Sequence, residues 1–538
     1  MRNPLSQLRL SNFVRRAGRD QSGVSAVAFA ISFAVLTPMA LGVFDVYQST
    51  EQRGKLQDAL DAAALYAARS NAYTTADINT IGNKALTANL QLIHGATLTN
   101  ASFALNGTEV DASAQVQLPA FAPMEYTHTP VTVTSTVQRA MDRLEVALVL
   151  DNTGSMAQNN KLTTLQADAK QLIDKLVAAS QQSTDPNPLK ISLVPFSQTV
   201  RVQGNTLVTG TNYNTATHTG PNIPTWIDPQ GKAHAALGPN FDSFTSQTDR
   251  LALMRTMNVP WAGCVESRMA PYDIQETPPD PNTPASMFVP YFWTDEAGNK
   301  NSSSGSLNDY LPDVGSGTVR QKQQNPTKYN YTALRTGQFT GGYNYGPNAG
   351  CGLQQVIRLT TDTNSIKTAI DGMTAVGDTN IGMGLVWGWH TLSPNLPFAD
   401  GSGYGTQHLK KIIILMTDGA NTFTTRNDGT TSNNGSFYSG AGYIWQQLVS
   451  AIPGLTSSSP DATRTAAMDA RMAQLCTNIK NKNIYIYTIR IEFTQGSPTL
   501  LQNCATTADD FYDVSNVANL GAAFDAIAGS IANLRISH

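Results

Sequence analysis

The sequence has few charged residues and no large excess of either sign. Lys, Arg, Asp and Glu make up 14% of its 538 residues, and the formal net charge is -3. A nucleic-acid-binding protein needs a clustered basic face, which this composition does not supply. Nucleic acid is therefore excluded as a partner, and uncharged polar residues must form much of the surface.

The sequence also lacks the common catalytic motifs. It contains no G-x-S-x-G elbow, no H-E-x-x-H helix and no phosphate-binding loop. Its seven histidines are scattered, and His390 on a predicted helix is expected to pack or to face solvent. These absences favour a binding protein over an enzyme.

Cysteine is scarce, and its spacing is not that of a metal site. The four cysteines form no C-x-x-C pair and have no histidine at zinc-like spacing. Disulfides are the better interpretation, and three connectivities are possible. Proximity in sequence favours Cys264 with Cys351 and Cys476 with Cys504.

Only one long apolar run is present, "VSAVAFAISFAVLTPMALGVF" at 24–44, and its length suits a membrane-spanning helix. Five arginines precede it and acidic residues follow it, so segment 1–23 is expected to be cytoplasmic and the rest exported. A cleaved signal peptide is the alternative, but the run exceeds the usual apolar length and no A-x-A site closes it.

The chain after the apolar run divides into two patterns. Residues 54–70 have apolar side chains at helical spacing, and 96–139 alternate as strands do, so 45–140 is predicted to be a small pilin-like α+β module. From 141 to 538, apolar strands alternate with amphipathic helices, which predicts a doubly wound, mostly parallel α/β sheet.

Two segments interrupt this α/β alternation. Residues 203–355 are rich in Pro, Gly, Asn and Thr and contain two of the cysteines, so we expect a semi-autonomous insertion held by a disulfide. Residues 422–458 are expected to form a mobile loop. The neighbouring Trp387 and Trp389 are expected to pack a helix onto the sheet.

Oxygen-bearing side chains cluster where strands are predicted to end. Asp151, Thr153 and Ser155 follow the apolar run "LEVALVL", Thr379 begins a predicted helix in "GDTNIGMGL", and Asp418 follows "KKIIILM". Open α/β sheets bind ligands at the carboxyl ends of their strands. Carboxylates and hydroxyls are ligands for a hard divalent cation, so these five residues are a candidate metal site.

These three segments together, in this order, resemble the von Willebrand factor type A domain and its metal-ion-dependent adhesion site. The resemblance implies Mg²⁺, or alternatively Mn²⁺ or Ca²⁺, held in near-octahedral coordination by Asp151, Thr153, Ser155, Thr379 and Asp418. An acidic residue of a partner protein would take the open position. The second motif position is more often Ser in that family, and Thr153 keeps the hydroxyl.

The apolar run and the following "KLQDALDAAALYAAR" resemble the anchor of TadE/TadG-like proteins of Flp (tight adherence) pilus assembly. This resemblance implies a bacterial inner-membrane protein with one span, a periplasmic C-terminal bulk, and pilus or secretion components as partners. A surface adhesin that binds an external ligand through the same site is the alternative. Gly23 could be a cleavage site for prepilin peptidase, but family members that are cleaved carry Glu at the fifth position after the cut, where this chain has Ala28. We therefore expect the apolar helix to be retained.

Overall fold

The structure, a computed structural model, covers most of the chain. It describes residues 21–70, 72, 74–90, 97–106, 109–117, 130–138, 142–181, 183, 185–206, 208–209, 212–238, 240–297, 308–330, 346–425, 434–448, 455–456, 458–492 and 498–536. Most of the predicted cytoplasmic segment lies outside these residues. The chain forms two compact units, 1–140 with 536–538, and 141–535, and each is described by itself.

The first unit consists of two helices and a small antiparallel sheet. Its elements are α1 (Gln21–Ala68), α2 (Thr75–Leu90), β1 (Thr97–Asn106), β2 (Glu109–Gln117) and β3 (Val131–Gln138). The sheet order is β1-β2-β3, and both strand pairs are antiparallel. Helix α2 was not predicted, because its Thr, Asn and Gly residues weaken the apolar periodicity.

The far half of α1 packs on the sheet of the first unit. Its predicted apolar face is buried, and the sheet contributes Phe103, Val110 and Val133 to the same core. Gly82 of α2 lets Phe103 approach, since a Cβ at Gly82 would lie 2.3 Å from the phenyl ring. The buried residues of the α1 face are Leu56, Leu60, Ala63, Ala64 and Ala67.

The N-terminal half of α1 is apolar and exposed. Among the described residues one helical segment, Val27–Phe44, is long and apolar enough to cross a membrane, with a mean hydropathy of 2.2. None of this segment is buried in the protein, and side chains such as Phe29 and Met39 are about two-thirds exposed. Exposure of so much apolar surface is unfavourable in water.

The second unit is built on a mostly parallel sheet. The strands are β4 (Arg143–Asp151), β5 (Leu189–Phe196), β6 (Val200–Arg201), β7 (Cys264–Val265), β8 (Ile357–Thr360), β9 (Leu409–Thr417), β10 (Ile484–Ile491) and β11 (Phe511–Val514). The order is β11-β10-β9-β4-β5-β6-β7, with β8 also paired to β5. Strands β4, β5, β9, β10 and β11 are parallel to one another, whereas the pairs β5–β6, β6–β7 and β5–β8 are antiparallel.

Helices cover both faces of this sheet, as the alternating pattern predicts. The helices of this unit are α3 (Lys161–Ser180), α4 (Lys232–Ala236), α5 (Arg250–Met257), α6 (Val319–Gln323), α7 (Thr363–Asp371), α8 (Ile381–Leu392), α9 (Asp461–Lys480), α10 (Thr499–Cys504) and α11 (Leu520–Ile536). Successive residues of β4 point to opposite faces, so Val146 and Leu148 pack beneath α3, α7 and α11, whereas Ala147 and Val149 pack beneath α8, α9 and α10.

The segment 203–355 is not semi-autonomous, and that expectation was wrong. Several of its described aromatic residues, Trp226 and Phe288 among them, belong to the same hydrophobic core as α8 and one face of the sheet. The ring centroid of Trp387 lies 4.8 Å from that of Phe288 and 6.1 Å from that of Trp226. Trp387 therefore packs helix α8 against the inserted segment.

The expectation of a mobile loop at 422–458 also fails for its described residues. Tyr438, Tyr443 and Trp445 are buried in a cluster with Tyr291 and Trp293 of the inserted segment. Aromatic rings bury large apolar areas, so this part of the loop is packed. Gly, Ser and Asn are frequent in this segment and predict an exposed loop, so these contacts were not expected from the sequence.

Both disulfides have the favoured connectivity. Cys264 is bonded to Cys351, and Cys476 is bonded to Cys504. The first bond joins β7 to the segment that precedes β8, and the second joins α9 to α10. Disulfides persist in oxidising compartments, which agrees with export of this part of the chain.

Candidate metal centre

Asp151 lies at the carboxyl end of β4, the strand in the middle of the parallel sheet. Its side chain is fully buried. One carboxylate oxygen accepts a hydrogen bond from the backbone N–H of Thr153 at 2.8 Å, and the other accepts one from the Thr417 hydroxyl at 2.6 Å. Thr417 is the last residue of the neighbouring strand β9, so two adjacent strand ends orient one carboxylate.

The next two predicted ligands follow in a tight turn. Thr153 precedes a 3₁₀ turn over Gly154–Ala157, and its hydroxyl oxygen lies 3.0 Å from that of Ser155. The Ser155 hydroxyl donates a hydrogen bond of 2.6 Å to Asp418 Oδ1. The turn thus joins the ends of β4 and β9 through side chains.

Thr379 lies on a loop that is fastened to the same strand ends. The backbone N–H of Val376 donates to Asn152 O at 2.8 Å, and that of Gly154 donates to Gly377 O at 3.0 Å. An added Cβ at Gly419, next to Asp418, would lie 3.5 Å from Thr379 Oγ1. Helix α8 begins two residues after Thr379, with Asn380 as its N-cap.

The structure therefore brings the predicted residues to one end of the sheet. Asp151, Thr153, Ser155 and Asp418 form a single connected group, and Thr379 lies beside Gly419. All except Ser155 are buried.

Two residues of the centre were not predicted. Thr417 holds Asp151, as described above. Lys161, the first residue of α3, places its ammonium 2.8 Å from Asp418 Oδ2. Thr417 could have been inferred from its place beside Asp418, whereas nothing in the sequence indicated that Lys161 would point into this group.

The carboxylates of Asp151 and Asp418 repel each other. Burial raises the pKa of Asp151, and the negative charge of Asp418 raises it further; hydrogen bonds from Thr153 and Thr417 act in the opposite direction. Bringing like charges together in a poorly solvated place is costly. A bound cation would relieve that cost.

More acidic groups surround the centre. Burial raises the pKa of Asp378, the residue before Thr379, and of Asp469, which accepts a hydrogen bond from Asn421 at 2.8 Å. Glu492, directly after β10, has a lowered pKa, because Val517 N–H and the Asn159 amide donate to it and because Lys161 is near.

The donor set fits a small hard cation, with hydroxyls as an essential part. Among the described residues, no group of three or more His, Cys, Asp and Glu side chains is placed to hold a metal ion. The centre offers two carboxylates and three hydroxyls, which are oxygen donors of the kind that Mg²⁺ and Ca²⁺ take. Its residues would hold such an ion only by using both kinds of donor.

Comparison with known proteins gives one sequence match. Residues 23–70 match the family model "Putative Flp pilus-assembly TadE/G-like". This match covers α1 and confirms the resemblance of the anchor, whereas the second unit lies outside it. No curated protein matches the chain in sequence.

Similar solved structures include several pilus proteins, at low similarity. The pilus adhesin SpaC from Lactobacillus rhamnosus GG has 12% identity and a TM-score of 0.33, over 82% of this chain and 35% of SpaC. The vWF domain of the type V pili tip protein Mfa5 from Porphyromonas gingivalis has 12% identity and a TM-score of 0.32, over 74% and 97%. The adhesive tip pilin GBS104 from Group B Streptococcus agalactiae has 12% identity and a TM-score of 0.31, over 72% of this chain and 100% of GBS104.

The chain spans about a third of the length of SpaC. TM-scores near 0.3 do not establish a shared fold with these proteins.

Proposed function

We propose that the chain is a membrane-anchored protein of Flp pilus assembly or secretion, and that it binds a partner protein through a divalent cation. The second unit would be a von Willebrand factor type A domain in the periplasm, and α1 would cross the inner membrane once. Asp151, Thr153, Ser155, Thr379 and Asp418 would hold the cation. We assign the protein a binding role and no catalytic one.

The family match of α1 supports the pilus association. The exposed apolar segment Val27–Phe44 supports the anchor, and the two disulfides support an oxidising compartment.

The observation that carries the metal-dependent part is the contact between Ser155 and Asp418. It joins the turn after β4 to the end of β9, beside a second buried carboxylate, Asp151. Lys161 pairs with Asp418, yet the charge of Asp418 still raises the pKa of Asp151. The two carboxylates together carry more negative charge than this one ammonium offsets, so a bound cation would stabilise them.

The residues of the centre would have distinct tasks. Asp151 and Asp418 would neutralise the cation, and the hydroxyls would coordinate it without adding charge. A bound cation would supply a coordination position for a carboxylate oxygen of the partner, which would make recognition dependent on an Asp or Glu there. Thr417 would hold Asp151 in place through its hydroxyl.

Calorimetric titration of Mg²⁺ tests the centre directly. The 538-residue chain, purified in detergent, should bind Mg²⁺ saturably, and the double variant Asp151→Asn with Asp418→Asn should not. The matched control is Asp371→Asn, which removes an exposed carboxylate of α7 that pairs with Lys170. Equal binding by the double variant and the parent would exclude this centre as the cation site.

A deletion strain tests the role at the envelope. It should lack surface pili, and the parent gene should restore them, whereas the double variant, expressed at the same level, should not. Normal piliation in the deletion strain would contradict the proposal. Protection of the second unit from protease in intact cells is expected for a periplasmic protein, and its cleavage there would favour a surface adhesin.

A further inference from the structure

Lys161 already supplies a positive charge to the candidate metal centre. Its ammonium lies 2.8 Å from Asp418 Oδ2, while the Ser155 hydroxyl donates to Oδ1 of the same carboxylate. The side chain of Lys161 is only 8% exposed and that of Asp418 is not exposed at all. Both oxygens of Asp418 are therefore engaged within the protein.

The local backbone directs Lys161 into this position. Asn159 and Asn160 both have left-handed conformations, with φ of 53° and 57°, immediately before α3 begins at Lys161. Asn and Asp tolerate this conformation better than other non-glycine residues. The chain thus turns sharply where the lysine enters the centre.

The helix α3 does not itself favour a lysine at its first position. A cation in the first turn of a helix is disfavoured by the positive end of the helix dipole. Asn160 makes no side-chain capping hydrogen bond that would offset this. The position of the lysine is therefore explained by its contact with Asp418.

A divalent cation at Asp418 would meet this ammonium at close range. Like charges at short separation repel strongly in a buried site, and one carboxylate oxygen cannot keep a full contact with both. Binding of the cation would therefore require the ammonium to move away or would be weakened by its presence.

We propose that Lys161 is a built-in competitor of the divalent cation for Asp418. It neutralises the carboxylate when no cation is bound, and it sets the cation concentration at which the centre fills. This inference rests on the proposed function and deepens it.

An alternative carboxylate is available to the displaced lysine. The charge of Lys161 helps to lower the pKa of the Glu492 carboxyl. This carboxylate accepts hydrogen bonds from the side-chain amide of Asn159 at 3.1 Å and from Val517 N–H at 3.0 Å. Asn159 belongs to the same turn as Lys161. The ammonium would move toward Glu492 when Asp418 is taken.

Three single variants of the detergent-purified chain separate competition from other effects. Lys161→Met removes the charge and keeps a long side chain, and Lys161→Arg keeps the charge. Lys170→Met removes a partly exposed lysine of the same helix that pairs with Asp371, so it controls for the change in net charge. Each is titrated with Mg²⁺ by calorimetry, and its melting temperature is measured in EDTA and in excess Mg²⁺.

Lys161→Met should bind Mg²⁺ about tenfold more tightly than the parent or better, because the repelling charge is gone. Lys161→Arg should bind no more tightly than the parent, and Lys170→Met should bind as the parent does. In EDTA the Lys161→Met variant should melt at a lower temperature, since Asp418 loses its counterion, and excess Mg²⁺ should recover most of that loss.

The outcomes distinguish this inference from the proposed function. If the parent binds Mg²⁺ and Lys161→Met binds equally or more weakly, Lys161 is not a competitor and the metal centre stands. If Lys161→Met binds Mg²⁺ and the parent does not, Lys161 is a competitor, but the native chain does not bind its partner through a cation. If neither protein binds Mg²⁺, the role of Lys161 and the proposed metal centre are both overturned.

Discussion

The hydroxyl of Ser155 donates a hydrogen bond of 2.6 Å to Asp418, although 263 positions separate the two residues in the chain. The contact exists because β4 and β9 are parallel neighbours whose carboxyl ends lie together. Side chains at the two strand ends therefore reach the same point.

Ser155→Ala should weaken Mg²⁺ binding by at least about tenfold, because it removes both a proposed ligand and the hydrogen bond that orients Asp418. Calorimetry of the variant beside the parent measures the loss. Ser365→Ala, which removes a hydroxyl at the start of α7, is the matched control and should bind as the parent does. Unchanged binding by Ser155→Ala would mean that the hydroxyl only links two strand ends.

Gly388→Ala should destabilise the second unit by about 1–3 kcal/mol, the usual cost of overpacking. An added Cβ would lie 2.5 Å from Val149 Cγ2 on β4, so helix α8 would have to move away from the sheet. Gly382→Ala on the same helix is the control, since its nearest atom lies 3.7 Å away. That variant should be neutral or stabilising by up to about 1 kcal/mol in urea unfolding; equal destabilisation by both would contradict the packing argument.

Burial of His390 should make its contribution to stability fall in acid. Burial and the charge of Arg268 lower the pKa of this histidine well below its ordinary value of 6.5. Below pH 6.5 the unfolded chain therefore takes up a proton at this residue that the folded chain does not, and the contribution of His390 to stability falls by about 1.4 kcal/mol per pH unit. The buried carboxyl groups of Glu266 and Asp295, whose pKa burial raises to about 7, act in the opposite direction.

Two variants isolate the contribution of His390. Neither ring nitrogen has a hydrogen-bond partner among the described residues, and the ring packs against Trp387 and Phe288. His390→Phe should raise the melting temperature at pH 7.5 and raise it more at pH 5. His390→Gln should lose the same pH dependence without the gain at pH 7.5, and a pH dependence equal to that of the parent in both would refute the assignment.

Removal of the two disulfides should have unequal effects. Replacing both cysteines of the Cys264–Cys351 pair by Ala frees a loop with a sequence separation of 87, against 28 for Cys476–Cys504. By the chain-entropy argument the first should cost about 4–5 kcal/mol and the second about 3–4 kcal/mol. Urea unfolding of the two double variants checks the order, and a larger loss from the second pair would show that local packing outweighs loop length.

The strands that carry the centre were predictable from the sequence. β4 and β9 are predominantly apolar, as expected of strands buried on both faces, and both are predicted from the sequence. The disulfide pairing followed from proximity along the chain. In each case the information is local, so it can be read without knowing the fold.

What could not be predicted depends on contacts between distant segments. β6 and β7 are two residues each. β6 pairs with β5 and β7 pairs with β6, and the tertiary structure of the inserted segment sets this pairing. The contact of Lys161 with Asp418 spans 257 positions and needs two left-handed residues before α3. Neither feature leaves a periodic pattern in the sequence.

Helix α1 gives the first unit a mechanical property. It is continuous for 48 residues, and its last part is buried in the unit while its first part holds the candidate span. From Phe44 to Ala68 it extends about 36 Å at the usual helical rise. A change of about 20° in the tilt of the span would therefore carry the far end of α1 sideways by about 12 Å. With the candidate span held in a membrane, as proposed, α1 would act as a lever, and a lateral pull on this unit would become a torque on the span.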